Sequence, residues 1–171
     1  MSESDDGHRG WVNVFANGSI PALVATGAFL TDEWEFGIWM FGAAVSVAAA
    51  DTFASEFGCL DENVRMITTL KKCEAGINGG FSKTGQLAAL IGSVIIALMT
   101  IGAWILINPD ESFSYGLNLG LAVVAIGWIG CQIDSFLGAW FENRGLLTKG
   151  GVNALAISSG MLIMLAWLSW F

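Results

Sequence analysis

The sequence predicts an all-α polytopic membrane protein of about five transmembrane helices, with its N-terminus in the cytoplasm and its C-terminus outside. Five long apolar stretches, residues 14–30, 34–57, 85–107, 115–141 and 152–171, approach or exceed the ~20 residues that cross a ~30 Å hydrocarbon core. All seven basic residues fall in three of the five segments outside these stretches. Arg9 precedes the first; Arg65, Lys71, Lys72 and Lys83 lie between the second and third; Arg144 and Lys149 lie between the fourth and fifth. Connectors 31–33 and 108–114 carry Asp32, Glu33, Asp110 and Glu111 but no Lys or Arg. Cytoplasmic segments are the ones enriched in Lys and Arg, so five spans reproduce the pattern without exception.

Composition agrees. Apolar residues make up 54% of the 171, only 13% are charged, and the mean hydropathy is +0.64. A soluble chain of this length could not hide so many helices that are apolar all round. The whole chain reads as one membrane domain, 1–171, with a short acidic tail (1–10), one main cytoplasmic loop (59–84) and no internal repeat.

The tail lacks the basic n-region of a signal peptide and is expected to stay on the mature protein. The first span carries Asn17-Gly-Ser and Pro21 near its start, which predicts a broken or re-entrant entry. The second span opens at Trp34 and ends in the polar run 50–58. The third is uninterrupted and holds Trp104. The fourth has Gly116 and Gly120 at one end and Asp134 at the other, and the fifth closes on Trp167 and Trp170. Trp11 and Trp140 are expected at the inner boundary, and Trp34, Trp104, Trp167 and Trp170 near the outer one, where indole rings prefer the headgroup region. Small residues such as Gly42 with Ser46, and the run 48–50, would let helix backbones approach closely.

Several function classes are disfavoured. A net charge of −8 argues against nucleic acid as a partner. The single histidine, His8, sits in the tail, which argues against a His-based triad, a His-rich zinc site or a haem. Cys59, Cys73 and Cys131 have no metal-ligand spacing and fall toward the reducing side, so no disulfide is expected.

Ionisable residues inside apolar spans carry the most information, because each is expensive there and usually faces a cavity or partner. Asp51 and Glu56 lie at the inner end of the second span, and Asp134 in the inner third of the fourth. At about 100° per residue, Asp51 shares a helix face with Ser55, and Thr52 with Glu56 on an adjacent one. Carboxylates and hydroxyls without histidine form a hard-oxygen set suited to Mg²⁺ or Mn²⁺. The plain alternative is that these acids pair with Arg65 or Lys83, or act as protonated contacts between helices.

The loop adds complementary chemistry. Gly76-Ile-Asn-Gly-Gly-Phe-Ser-Lys-Thr-Gly85 is glycine-rich, carries two hydroxyls and Lys83, and runs into the third span. Backbone N–H groups in such a loop and at a helix N-terminus cradle phosphate. The glycine spacing before Lys83 is not that of a Walker loop. Phosphate, divalent metal and lipid access together point to phosphoryl or nucleotidyl transfer at a membrane surface.

Five motifs then carry a family resemblance. Ala50-Asp-Thr-Phe-Ala-Ser-Glu-Phe-Gly58 resembles an A-D-T-x-A-S-E-x-G signature. Arg65-Met-Ile-Thr with Gly76–Gly85 is similar to an R-x-I-T and G-x-N-G-G-x-S-x-x-G loop. Asp134-Ser-Phe-Leu-Gly-Ala139 resembles a D-S-x-L-G-A helix, and Val152-Asn153 a V-N near the last span. Arg9 with Val14-Phe-Ala-Asn-Gly18 resembles an R…Q-V-x-A-N-G opening, with Asn13 in place of the glutamine. These belong to the integral-membrane phytyl phosphate kinases of the vitamin E pathway and their uncharacterised archaeal, bacterial and animal relatives. Those relatives usually carry further spans before this opening, so the resemblance implies either fewer helices here or a second subunit that supplies them.

The resemblance implies transfer of the terminal phosphate of a nucleoside triphosphate (CTP, UTP or ATP) to an isoprenoid monophosphate, in the plasma membrane, at its cytoplasmic face. Asp51, Glu56 and Asp134 would hold the metal, with Lys83 joining them in catalysis. Asn78, Gly79, Gly80 and Ser82 would hold phosphates, with Arg65 and Asn17 as further candidates. The prenyl tail would lie between helices, among membrane lipid, in a single chain, a homo-oligomer or a complex with a second subunit. Three other functions fit parts of the pattern: a CTP-dependent nucleotidyltransferase acting on a lipid phosphate, a transporter, and a non-catalytic membrane subunit. The transporter reading predicts polar residues continuing to the outer face, where the second and fourth spans are nearly free of charge.

Overall fold

The computed structural model describes residues 11–170; the tail with His8 and Arg9, and Phe171, lie outside the described residues. Five helices are long and apolar enough to cross a membrane: α1 (Trp11–Thr31), α2 (Trp34–Gly58), α3 (Lys83–Ile107), α4 (Phe113–Leu137) and α5 (Lys149–Trp170). Their 21 to 25 residues correspond to roughly 32–38 Å of helix, enough to span the hydrocarbon with some tilt. A π-helical turn, Gly138–Glu142, continues α4. The loop between α2 and α3 is not featureless. It folds back as a minimal antiparallel pair, β1 (Arg65–Met66) and β2 (Gly80–Phe81), with Arg65 opposite Phe81 and Met66 opposite Gly80.

The middle of the bundle is α2, which packs against all four other long helices, while α1 rests mainly on α2 and α5. Its buried face, Trp39, Ala43, Ala44, Val47 and Ala50, is nearly all small residues. That lets neighbours come close where lipid offers no hydrophobic drive for helix association. Gly127 of α4 shows how close. A Cβ there would collide with the Oγ atoms of Ser46 on α2 and Ser93 on α3, and Ser46 Oγ donates to the Val123 carbonyl of α4 at 3.2 Å. Large apolar side chains such as Leu98, Leu106 and Leu162 point outward, as expected for a surface bathed in lipid rather than water.

Two expectations need correction. Helix α1 is continuous from Trp11 through Pro21 to Thr31, neither broken nor re-entrant. Pro21 removes only the N–H that would reach the Asn17 carbonyl, a loss that membrane helices tolerate when neighbours re-satisfy the freed group. Trp104 is not an interfacial anchor: it is fully buried, with its ring centroid 5.7 Å from that of Trp39 and 5.9 Å from that of Tyr115. Gly116 on α4 makes room for its ring. Trp11, Trp34, Trp140, Trp167 and Trp170 are exposed, as a belt requires.

The two ends of the bundle differ in charge. The end where α2 and α4 finish and α3 and α5 begin carries Arg65, Lys71, Lys72, Lys83, Arg144 and Lys149. The opposite end carries Asp32, Glu33, Asp110 and Glu111.

Candidate functional site

At the basic end, α2, α4, the start of α5 and the α2–α3 loop surround a cleft of ≈ 130 Å³. That is below the ~300 Å³ at the lower limit of most small-molecule sites, so the cleft suits a phosphate-sized group rather than a whole nucleotide. From α2 come Asp51, Ala54, Ser55 and Gly58, spaced i, i+3, i+4 and i+7 on one helical face. From α4 and its π turn come Asp134, Ser135, Gly138 and Glu142. The carboxyl groups of Asp51 and Asp134 lie within hydrogen-bonding reach of each other, and the charges of Lys149 and Glu142 both act on Asp134. π turns inside α-helices concentrate at functional sites; here the turn begins four residues after Asp134 and ends at Glu142.

The glycine-rich loop forms the remaining wall. Asn78, Gly79, Gly80 and Ser82 all line the cleft. Gly79 has φ +84, a left-handed conformation, and a Cβ there would meet the Ala139 Cα at 3.1 Å and the Ser135 carbonyl at 2.9 Å. Only glycine satisfies both the dihedral and the contact. The loop is pinned on both sides: Asn143 Nδ2 donates to the Asn78 carbonyl at 3.0 Å, and the Ile67 N–H donates to the Gly79 carbonyl at 2.8 Å. Ser82 caps α3 by accepting from the Gly85 N–H at 3.1 Å. The N-terminus of α3, with its partial positive charge, therefore opens beside the cleft.

The remaining expected site residues separate into two groups. Asn17 of α1 reaches the back of the Asp51–Asp134 pair, in a narrow pocket shared with Asn153. Glu56, Lys83 and Arg65 do not line the cleft. Glu56 follows Asp51 by five residues, about 500° of helix, so it projects some 140° away from the Asp51 face. The expected trio of Asp51, Glu56 and Asp134 is therefore corrected: Asp51 and Asp134 meet, Glu142 rather than Glu56 lines the same cleft, and no group of three or more His, Cys, Asp or Glu able to hold a metal ion occurs among the described residues. Lys83 begins α3 and is exposed. Arg65 braces the loop instead, donating from Nη1 to the Leu70 carbonyl at 2.8 Å. Sequence reasoning missed Lys149 and Glu142. The available signal for Lys149 was its place one helical turn before Asn153 on the last span.

Asp61, in the loop, accepts from the Asn63 N–H at 3.0 Å, from Thr84 Oγ1 at 3.0 Å and from the Thr84 N–H at 3.3 Å. These bonds, the one from Asn63 first, hold its carboxyl below the usual carboxylate range. Its role is to tie the loop to the first turn of α3.

The Asp51 and Asp134 carboxylates, with Glu142, Ser55, Ser135 and Asn78 along the same cleft, do not form a dedicated three-carboxylate cage. They do fit Mg²⁺, which is usually bound through one or two carboxylates, substrate phosphates and water. Two adjacent carboxyl groups at membrane depth also gain from a shared cation, because like charges at that spacing repel.

A family model described as Integral membrane protein DUF92 matches residues 1–165. An uncharacterized membrane protein of Methanocaldococcus jannaschii is 35% identical over 162 residues, covering 93% of this chain and 62% of that protein. Protein PGR of Arabidopsis thaliana is 31% identical over 158 residues, covering 82% of this chain and 54% of that protein. The chain thus spans between half and two thirds of the length of these relatives. No solved structure matches it.

Proposed function

The chain belongs to the DUF92 family of integral membrane proteins, and from that premise we propose that it is a membrane prenyl-phosphate kinase. In this reading the γ-phosphorus–oxygen bond of a nucleoside triphosphate breaks. The phosphoryl group passes to a phosphate oxygen of an isoprenoid monophosphate, and the products are an isoprenoid diphosphate and a nucleoside diphosphate. The observation that carries the proposal is the Asp51–Asp134 pair facing the Asn78–Ser82 loop across one cleft, with Lys149 at its side. Paired acids alone could be contacts between helices. Opposed to a glycine loop and a helix N-terminus, they supply both halves of a phosphate-handling site.

Asp51 and Asp134 would hold Mg²⁺ or Mn²⁺, which would neutralise phosphate charge during transfer. Backbone N–H groups of Gly79 and Gly80, with the Asn78 and Ser82 side chains, would fix the transferring phosphate. Lys149 would offset charge on the acceptor. A phosphate monoester is already anionic, so no side-chain base is required, and positioning with charge neutralisation does most of the work. The prenyl tail would leave the cleft between helices into lipid. Since cytoplasmic faces carry the Lys and Arg, the cleft would open to the cytoplasm of the plasma membrane.

The test is incubation of purified protein with prenyl monophosphates of several lengths, Mg²⁺ and each of CTP, UTP and ATP, followed by mass spectrometry. Isoprenoid diphosphate with a nucleoside diphosphate is the expected outcome. Pyrophosphate with a nucleotidyl lipid would replace the kinase by the nucleotidyltransferase, and no turnover with any pair would refute both.

A further inference from the structure

Behind the acid pair, toward the middle of the bundle, a narrow pocket is walled by Val47, Ala48, Ala156 and Ile157 and closed by Asn17 and Asn153. Asn153 is 5% exposed, and its amide faces that of Asn17 at 3.0 Å. A carboxylate and a backbone carbonyl only accept hydrogen bonds, so the Asn153 nitrogen belongs on the side where they stand. Turned that way it donates to Asp134 Oδ2 at 3.1 Å and to the Lys149 carbonyl at 3.2 Å, and its oxygen lies 3.0 Å from the Asn17 amide, which turns with it to donate from Nδ2. Both amide hydrogens and the amide oxygen then have partners at a depth where unsatisfied polar groups are expensive.

We propose that Asn153, itself oriented by Asn17, is a positioning residue that fixes the Asp134 carboxylate toward the cleft and so makes α1 part of the site. The inference rests on the proposed function only for what Asp134 holds; the hydrogen-bond chain stands on geometry alone. It moves Asn17 from phosphate contact to support of a support, two amides removed from the cleft. It also gives the Asn17 position in α1 a reason beyond packing. Asn17 is the residue whose carbonyl Pro21 cannot reach with an N–H, and its side chain hydrogen-bonds Asn153 of α5 across 136 residues of sequence. The same Asn153 nitrogen ties Asp134 to the first turn of α5, where Lys149 enters the cleft, so one amide sets the relative placement of the acid and the cation.

Two readouts test this. The first is Mn²⁺ affinity, measured by electron paramagnetic resonance on the full chain in detergent. Loss of a hydrogen bond that orients a metal-binding carboxylate typically weakens binding by about 10–100-fold, and that is expected for Asn153→Ala. Asn17→Ala should weaken it less, and should add nothing in the Asn153→Ala background. The second is the infrared carboxylate band of Asp134 in metal-free, ¹³C-aspartate-labelled protein, assigned by its disappearance in Asp134→Asn. That band should shift in Asn153→Ala, which mere loss of packing would not produce. An unmoved band, with additive effects of the two Asn variants on melting temperature, would mean that the amides only glue α1 to α5 and would overturn the inference. If the unsubstituted protein bound no Mn²⁺, the metal reading would fall, while the infrared band would still decide the positioning role. Should Asn153→Ala not fold, Asn17→Ala, at a partly exposed position, gives the same infrared comparison.

Discussion

Replacing Gly79 by alanine should undock the glycine loop from α4. Two separate penalties apply. Gly79 sits at φ +84, and a left-handed conformation costs an L-residue roughly 1–2 kcal/mol. The added Cβ would also press on Ala139 and the Ser135 carbonyl, both on the rigid α4–π segment, and overpacking of this kind costs roughly 1–3 kcal/mol. Together these give about 2–5 kcal/mol against the docked loop, or at least a ~30-fold shift toward the open form. Gly76 provides the control, because it has the same φ of +84 but nothing within 4 Å of its Cβ. Gly76→Ala should therefore show only the smaller conformational term. Hydrogen–deuterium exchange reads the difference directly through the Ile67 and Gly80 amides, whose acceptors are Gly79 and Ile77 carbonyls. Both should exchange much faster in Gly79→Ala and only modestly faster in Gly76→Ala. Equal exchange in the two variants would refute the docking of Gly79 against α4.

Other perturbations follow from the same geometry. Asp51→Asn and Asp134→Asn should each lower prenyl-phosphate turnover by at least the ~10²–10³-fold of a lost preorganised group while leaving a folded protein by circular dichroism; near-normal turnover in both would make the acids structural. Lys149→Ala should raise KM or lower kcat more than Lys83→Ala, because Lys149 lines the cleft and Lys83 does not, and steady-state kinetics of the two variants would settle the order. Asp61 is held below its unfolded value of ~3.9, so its stabilising contribution is complete above that value and is lost as pH falls through the lower folded one. Melting temperature followed from pH 6 to pH 3 should fall less steeply in Asp61→Asn than in the unsubstituted protein. Gly127→Ala should destabilise by about 1–3 kcal/mol through collision with Ser46 and Ser93, whereas Gly18→Ala, in open space on α1, should be neutral or slightly stabilising. Cysteine labelling in intact cells should find Asp110→Cys and Lys149→Cys on opposite sides of the membrane.

The five spans were legible because membrane insertion is decided by local hydropathy, a property each segment carries by itself. Asp51 with Ser55 was legible for a similar reason, since helical periodicity places residues four apart on one face. Glu56 shows the limit: a face adjacent to the acid was read as part of one polar arc, and the 140° offset turns it out of the cleft. Trp104 was misplaced because a tryptophan near a span end resembles an interfacial anchor, while its burial depends on a glycine of another helix, Gly116. Lys149 and Glu142 were missed because their approach to Asp134 depends on the π turn after α4 and on the packing of α5, neither of which residue spacing alone fixes. The Asn17–Asn153 contact joins residues 136 apart, and nothing local in either segment announces it.

The most direct test of the site is an experimental structure of the full chain in lipid nanodiscs with Mn²⁺ and a non-hydrolysable nucleoside triphosphate analogue. Anomalous scattering should place manganese between the Asp51 and Asp134 carboxylates, with the terminal phosphate against the backbone of Gly79 and Gly80. Manganese and triphosphate bound elsewhere, or a closed Asp51–Asp134 pair that excludes both at saturating concentration, would contradict the account.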